Sequence, residues 1–227
     1  LVAPAGTNLL QGNPLDGADY HDETLPYAEA GFLSIQYSLD GAVYNEDDTA
    51  EMTKAYRQFR AAGAGTVNTR CVIEFVKQRL PEVDPRRIYV AGHSSAGTVS
   101  LLAAETFPND VAACIAYAPC SDPEAFHADA PGFLLNTIFP GFRSLDQHYS
   151  PIRKADQLKC PLFLFQATDD SVVEAAETKK MAEAARKHNN QVTYSEVGFG
   201  DHYDSMIQQG IPKAISWLRT IDASRQH

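Results

Sequence analysis

Positive charge is scarce in this chain. Its 227 residues carry 19 Lys and Arg against 29 Asp and Glu, a net charge of −10. Such a surface repels polyanions, so nucleic acid and anionic membrane surfaces are poor partners. Long apolar runs are missing as well. The longest, Val111 to Ala118, has eight residues, far below the ~20 needed to span a bilayer. Cysteine is sparse: Cys71, Cys114, Cys120 and Cys160 show neither metal-ligand spacing nor a disulfide framework and read as isolated core thiols. No His or Cys spacing suggests zinc, and no cofactor is expected. Repeats and low-complexity tracts are absent. With 14 glycines and 13 prolines, a disordered or collagen-like chain is excluded. The chain starts at Leu1 rather than Met. Leu1, Val2 and Ala3 read as the end of a buried strand, so something N-terminal is expected to be processed or left out.

What is present is an alternation of short apolar runs and amphipathic stretches, on a length that favours one domain over residues 1–227. Strands are expected at 32–37, 88–91, 111–118, 162–166 and 192–197. Helices are expected at 23–30, 49–62, 66–80, after Gly97, and at 174–188 with Ala176, Met181, Ala184 and Ala185 inward. A last helix carries Ile207, Ile211, Ile215, Leu218 and Ile221 on one face, with Pro212 in its first turn. Gly63-Ala-Gly65 imitates half a dinucleotide fingerprint but follows a helix and lacks the third glycine, so it reads as a helix–helix joint. Strands this apolar imply a parallel sheet covered on both faces, with ligands bound at the carboxyl ends of the strands. The segment 120–156 is the one long irregular stretch, a candidate lid or substrate wall.

The sharpest local signal is Gly92-His-Ser-Ser-Ala-Gly97, directly after an apolar strand and before a helix. A serine at such a turn stands above the sheet edge in a strained backbone, which demands small neighbours. Gly92 lies two residues before Ser94, whereas Ser95 would have a histidine there, so Ser94 is the expected nucleophile. A hydroxyl needs a base, and the base needs an orienting carboxylate. His202 follows the 192–197 strand in a glycine-rich turn, and Asp169 and Asp170 follow the 162–166 strand. The order Ser94, Asp170, His202 is the chain order of a hydrolase triad. His21, His127, His148, His188 and His227 read as exposed loop histidines.

These residues resemble the α/β-hydrolases of the prolyl oligopeptidase and dienelactone hydrolase-like branch, over nearly the whole chain. Val83-Asp-Pro-Arg-Arg-Ile-Tyr-Val-Ala-Gly-His-Ser-Ser-Ala-Gly97 is similar to the family's elbow, Pro161 to Val173 to its acid strand, and Ser150-Pro-Ile152 to the segment before that strand. The resemblance implies an α/β-hydrolase fold, a three-layer sandwich around a mostly parallel sheet, with two family strands preceding Leu1. It implies Ser94 as nucleophile, Asp170 as acid and His202 as base. The oxyanion hole would combine the N–H of Ser95 with that of Gly6 or Thr7. The chain departs from the family at Ala96, where a glycine is usual, at Gln166-Ala167 in place of His-Gly, at Glu174 in place of Pro, and at Pro4-Ala-Gly-Thr7 in place of His-Gly-Gly.

The expected activity is serine hydrolysis of a small ester or peptide substrate. A carboxylesterase is favoured; a peptidase and a non-catalytic binding module remain the alternatives. Phe126, Phe133, Leu134, Leu135, Ile138, Phe139 and Phe142 cluster in the candidate lid, and Phe139 and Phe142 are the candidate lining of an apolar substrate pocket.

Overall fold

The computed structural model describes residues 1–15 and 20–224. Three helices come first: α1 (His21–Glu29), α2 (Thr49–Ala61) and α3 (Thr66–Arg79). The Asp48 carboxylate caps α2 by accepting from the N–H groups of Ala50 and Glu51. The Gly63–Gly65 segment is the expected helix joint. Gly65 has φ +88°, and a Cβ there would press on Leu39 and Val99 at 3.1 Å. There follow β1 (Tyr89–His93), α4 (Ser94–Thr106), β2 (Ala113–Tyr117), α5 (Pro123–Phe126), α6 (Gly132–Ile138), α7 (Phe142–His148), β3 (Leu162–Ala167), α8 (Ala175–Arg186), β4 (Val192–Val197) and α9 (Ile211–Ser224).

The four strands pair in the order β1-β2-β3-β4, all parallel, with Val90 opposite Cys114, Cys114 opposite Leu162, and Leu162 opposite Val192. The two-residue period sorts their side chains onto two faces. Val90, Cys114, Leu162 and Leu164 face a core completed by Ile73 of α3, Leu101 of α4 and Met181 of α8. Ala91, Ile115, Phe163 and Phe165 face the opposite core with Tyr27 of α1 and Ile211 and Leu218 of α9. Sequence periodicity therefore predicts the three layers correctly.

Several expectations are corrected. The strand expected at 32–37 is reduced to a single parallel bridge, Val2 to Gln36, while Val2 also bridges Ala91. Among the described residues, its partner is the 1–3 segment, where Val2 N–H donates to the Ile35 carbonyl. Ala176 is exposed; Thr178 and Ala182 are buried on α8 instead. Cys71 is exposed, whereas the other three cysteines are buried and free. The stretch expected to be irregular contains α5, α6 and α7, then a 3-10 turn over Pro151–Gln157. Phe139 and Phe142 are 1% exposed and pack with Leu10, Tyr56 and Leu145. They are core residues of this lobe and do not line an open pocket. Phe133, by contrast, is 91% exposed.

The chain enters α9 through a π turn, Met206–Gly210, in which the Ile211 N–H reaches back to the Met206 carbonyl. Pro212 explains the wide turn: it has no N–H, and its ring would collide with the carbonyl four residues back. Gly210 lies against the rings of Tyr117 and Phe165, where a Cβ would come within about 3.1 Å. Among the described residues, no helix is long and apolar enough to cross a membrane.

Candidate active site

Ser94 begins α4 directly after β1, and its φ is +53°. That left-handed conformation costs a non-glycine residue on the order of 1–3 kcal/mol and persists only where the surroundings enforce it. The enforcement is visible in the neighbouring glycines. A Cβ on Gly92 would lie 2.3 Å from the Ala96 carbonyl oxygen. One on Gly97 would press at 3.1 Å on the Gly92 oxygen and on Pro119. Ala96 itself is fully buried beside Ala3, Ala5 and Val99, so a methyl group fits where the family has glycine. The free N–H groups of the first turn of α4 point out at the elbow.

The two serines have different surroundings. Ser95 is buried, and its Oγ accepts the Thr7 N–H at 3.2 Å. Ser94 is partly exposed. The loop that supplies Thr7 is tied down at several points. The Ala5 carbonyl accepts from Asn13 Nδ2 at 2.7 Å and from the Tyr20 hydroxyl at 3.0 Å. Gly6 has φ +81°, and its N–H makes no hydrogen bond among the described residues.

Asp170 leaves β3 with its side chain only 1% exposed. Its carboxylate accepts from the N–H groups of Val172 and Val173, both at 2.9 Å, from Gln166 Nε2 at 2.8 Å, and from His202 Nδ1 at 2.9 Å. Burial pushes its pKa upward, but the His202 ring and the two N–H donors outweigh it and hold the carboxyl below its ordinary range. Gln166, in the family's histidine position, is fully buried. Its own amide oxygen accepts from Thr178 Oγ1 at 2.6 Å, which fixes which end of the amide faces Asp170.

His202 follows β4. Its backbone carbonyl accepts from His93 Nε2 at 2.9 Å, and the two imidazole rings lie 4.4 Å apart. His93 immediately precedes Ser94, so this contact sets His202 beside the elbow. Burial, and next the proximity of His202, push the His93 pKa down to about 4. His93 is therefore a neutral donor and no rival base. No hydrogen bond joins Ser94 to His202 among the described residues. With Nδ1 committed to Asp170, Nε2 is the free nitrogen of the His202 ring.

The loops that carry Asp170 and His202 brace each other. Asp169 accepts the N–H groups of Gly200 at 3.1 Å and Asp201 at 3.0 Å. Asp201 accepts the Ser171 N–H at 2.8 Å and its hydroxyl at 2.9 Å. Sequence reasoning treated Asp169 only as the neighbour of the acid and missed Asp201. Paired carboxylates at the ends of adjacent strands are the signal that points to such a brace.

The expectation of five exposed histidines fails at His127. That residue is buried, with Nδ1 2.9 Å from Asp146 Oδ2 and Nε2 3.0 Å from the Asn8 carbonyl. Nothing in the local sequence marks it, because its two partners lie on α7 and on the loop after Thr7. His227 lies outside the described residues.

A strained serine, a histidine held by a buried carboxylate and a helix N-terminus at one sheet edge are the parts needed for nucleophilic attack on a carbonyl. Solved structures share the architecture. An esterase from Pyrococcus furiosus matches with a TM-score of 0.52 and 18% identity, over 68% of this chain and 61% of its own. The chain thus spans about six tenths of that esterase's length. A monoacylglycerol lipase from Paleococcus ferrophilus matches with a TM-score of 0.63 and 14% identity, over 97% of this chain and 93% of its own. A carboxylesterase from Lactobacillus plantarum matches at 0.67 and 16% identity, over 96% and 84%. Identities this low establish the α/β-hydrolase fold. No curated protein matches the sequence. The model of the prolyl oligopeptidase family matches residues 49–219, a span that runs from α2 through the elbow and the loops of Asp170 and His202 into α9. The chain accordingly belongs to the prolyl oligopeptidase family.

Proposed function

We propose that this protein is a serine hydrolase that cleaves carboxylic esters through an acyl-enzyme formed on Ser94. The observation that carries the reading is the continuity from Ser94 through His93 to His202 and Asp170. The residue that precedes the strained serine is hydrogen-bonded to, and stacked near, a histidine whose Nδ1 is held by a buried carboxylate.

Ser94 Oγ attacks the ester carbonyl carbon as His202 Nε2 takes its proton. Asp170, kept ionised by its N–H donors, holds Nδ1–H and stabilises the imidazolium. The tetrahedral oxyanion is held by the Ser95 N–H and by an N–H of the 6–7 loop. Gly6 is the better donor there, because the Thr7 N–H is already given to Ser95 Oγ. The imidazolium then protonates the departing alkoxide as the C–O bond breaks. Water, deprotonated by the same histidine, hydrolyses the acyl-enzyme. Preorganised oxyanion donors of this kind contribute about 3–4 kcal/mol each. The ester preference draws support from the esterase and lipase names of the solved structures that share the fold.

A fluorophosphonate probe tests the assignment. The unaltered protein and Ser95→Ala should be labelled, and Ser94→Ala should lose both label and hydrolysis of p-nitrophenyl acetate. Label retained in Ser94→Ala would remove Ser94 from the role. A higher kcat/KM on peptide p-nitroanilides than on p-nitrophenyl esters would turn the substrate class from ester to peptide.

A further inference from the structure

The second buried histidine–aspartate pair is not part of the triad, yet it touches the catalytic machinery. His127 caps the end of α5, and Asp146 lies on α7. Their side chains are 7% and 2% exposed. The ring is wedged between Phe126 and Phe142, both edge-on, with centroids at 5.2 and 6.1 Å. A carboxylate faces Nδ1 and the Asn8 carbonyl faces Nε2. The carbonyl can only accept, so Nε2 carries the hydrogen and donates to Asn8, while Nδ1 is held by Asp146.

Asn8 lies one residue beyond Thr7 and two beyond Gly6, on the loop that supplies the second oxyanion donor. Thr7 N–H fastens the elbow side of that loop to Ser95. The Asn8 side chain closes the next turn by accepting the Leu10 N–H at 3.0 Å. The His127 bond joins this loop to the lobe formed by α5 to α7, next to the packing of Leu10 on Phe139 and Phe142. A buried histidine–carboxyl pair is a costly way to obtain stability, since apolar residues of similar volume usually do as well or better. What an apolar pair lacks is a directed donor for Asn8.

We propose that His127 and Asp146 are positioning residues for the oxyanion hole: Asp146 holds the His127 ring, whose Nε2–H holds the Asn8 carbonyl and so sets the 6–8 loop against the elbow. This rests on the reading of Ser94 as the nucleophile. The pair touches no substrate, and its effect lies in transition-state stabilisation rather than in substrate binding.

The test compares the double variant His127→Phe/Asp146→Leu with Asp146→Asn and the unaltered protein. The double variant removes the carboxyl and the donor while keeping the volume apolar. Asp146→Asn withdraws the carboxyl group that holds Nδ1 of the ring. Readouts are kcat and KM on p-nitrophenyl acetate, Ki for an aryl trifluoromethyl ketone, which forms a tetrahedral oxyanion adduct, and Tm. A loop displacement of this kind costs up to about 100-fold, so the expectation is a 10- to 100-fold fall in kcat. Ki should rise by a similar factor, KM should stay within about 2-fold, and the Tm of the double variant should be retained or raised. A kcat and Ki within about 2-fold of the unaltered protein in folded variants overturn the proposal. If the double variant does not fold, Asp146→Asn decides on the same readouts. Fluorophosphonate labelling of the unaltered protein separates the two failures. No label at Ser94 removes the catalytic reading itself, whereas normal labelling with unaffected variants removes only the role of this pair.

Discussion

His202–Asp170 and His127–Asp146 share one geometry and differ in everything around it. In each, Nδ1 lies 2.9 Å from a carboxylate oxygen that is almost wholly buried. The His202 side chain is 15% exposed, and its Nε2 has no partner among the described residues. The His127 side chain is 7% exposed, and its Nε2 ends on a backbone carbonyl. A ring with one nitrogen fixed and the other free can take a proton from a nucleophile, whereas a ring with both nitrogens hydrogen-bonded has no nitrogen to spare and acts as a clamp. The carboxylate partner does not make a histidine a base. The surroundings of its second nitrogen decide that.

The comparison can be broken or sharpened by substitution. His202→Ala should have the largest effect, a fall in kcat on p-nitrophenyl acetate of about 10⁶-fold, because a triad loses most of its power with its base. An equal loss in the His127 variants would erase the distinction between base and clamp. A smaller effect is expected from Gln166→Leu. It removes one donor to Asp170 and leaves the Val172 and Val173 N–H groups and His202 in place. A fall in kcat of about tenfold, equivalent to ~1.4 kcal/mol, measured with KM unchanged, would show that Gln166 tunes Asp170. No change would show that the backbone donors suffice.

The last effect falls on stability and not on turnover, and concerns a buried carboxyl that has no histidine at all. Neither oxygen of Glu105 has a hydrogen-bond partner among the described residues, and burial pushes its pKa up to about 9, opposed by Lys154 and aided by Asp156. Between its ordinary value and about 9, the unfolded chain releases a proton that the folded chain keeps, so this group lowers stability as pH rises. Glu105→Gln should leave Tm nearly unchanged at pH 5 and raise it at pH 8, by on the order of 1–3 kcal/mol of stability. A Tm difference independent of pH would contradict the assignment of Glu105 as a neutral acid. The Asp170 carboxyl is held below its ordinary range because it has donors, which Glu105 lacks.

The elements with short-range causes were legible from the residues. β1 to β4 and the helices between them followed from two- and 3.6-residue periods. The elbow followed from Gly92 before a serine, since the clashes that forbid a side chain at Gly92 come from Ala96 and Gly97, within a few residues. The 32–37 segment looked like a strand because its composition suits one, but a strand also needs a partner, and the 1–3 segment supplies only one bridge. Phe139 and Phe142 looked like pocket lining because apolarity does not say whether a side chain faces a cavity or a core. Packing against Tyr56 and Leu10 answers that.

By itself, the sequence determined the layered parallel architecture, the strained serine and the strand ends that carry Asp170 and His202, because local sterics and periodic burial act between near neighbours. Only the tertiary structure decided which serine is tied to the 6–8 loop, which histidine keeps a free nitrogen and which becomes a clamp. Those bonds join residues 88 and 119 positions apart. A hydrogen bond requires its partners within about 3 Å in space and places no condition on their separation along the chain, so no spacing records it in advance.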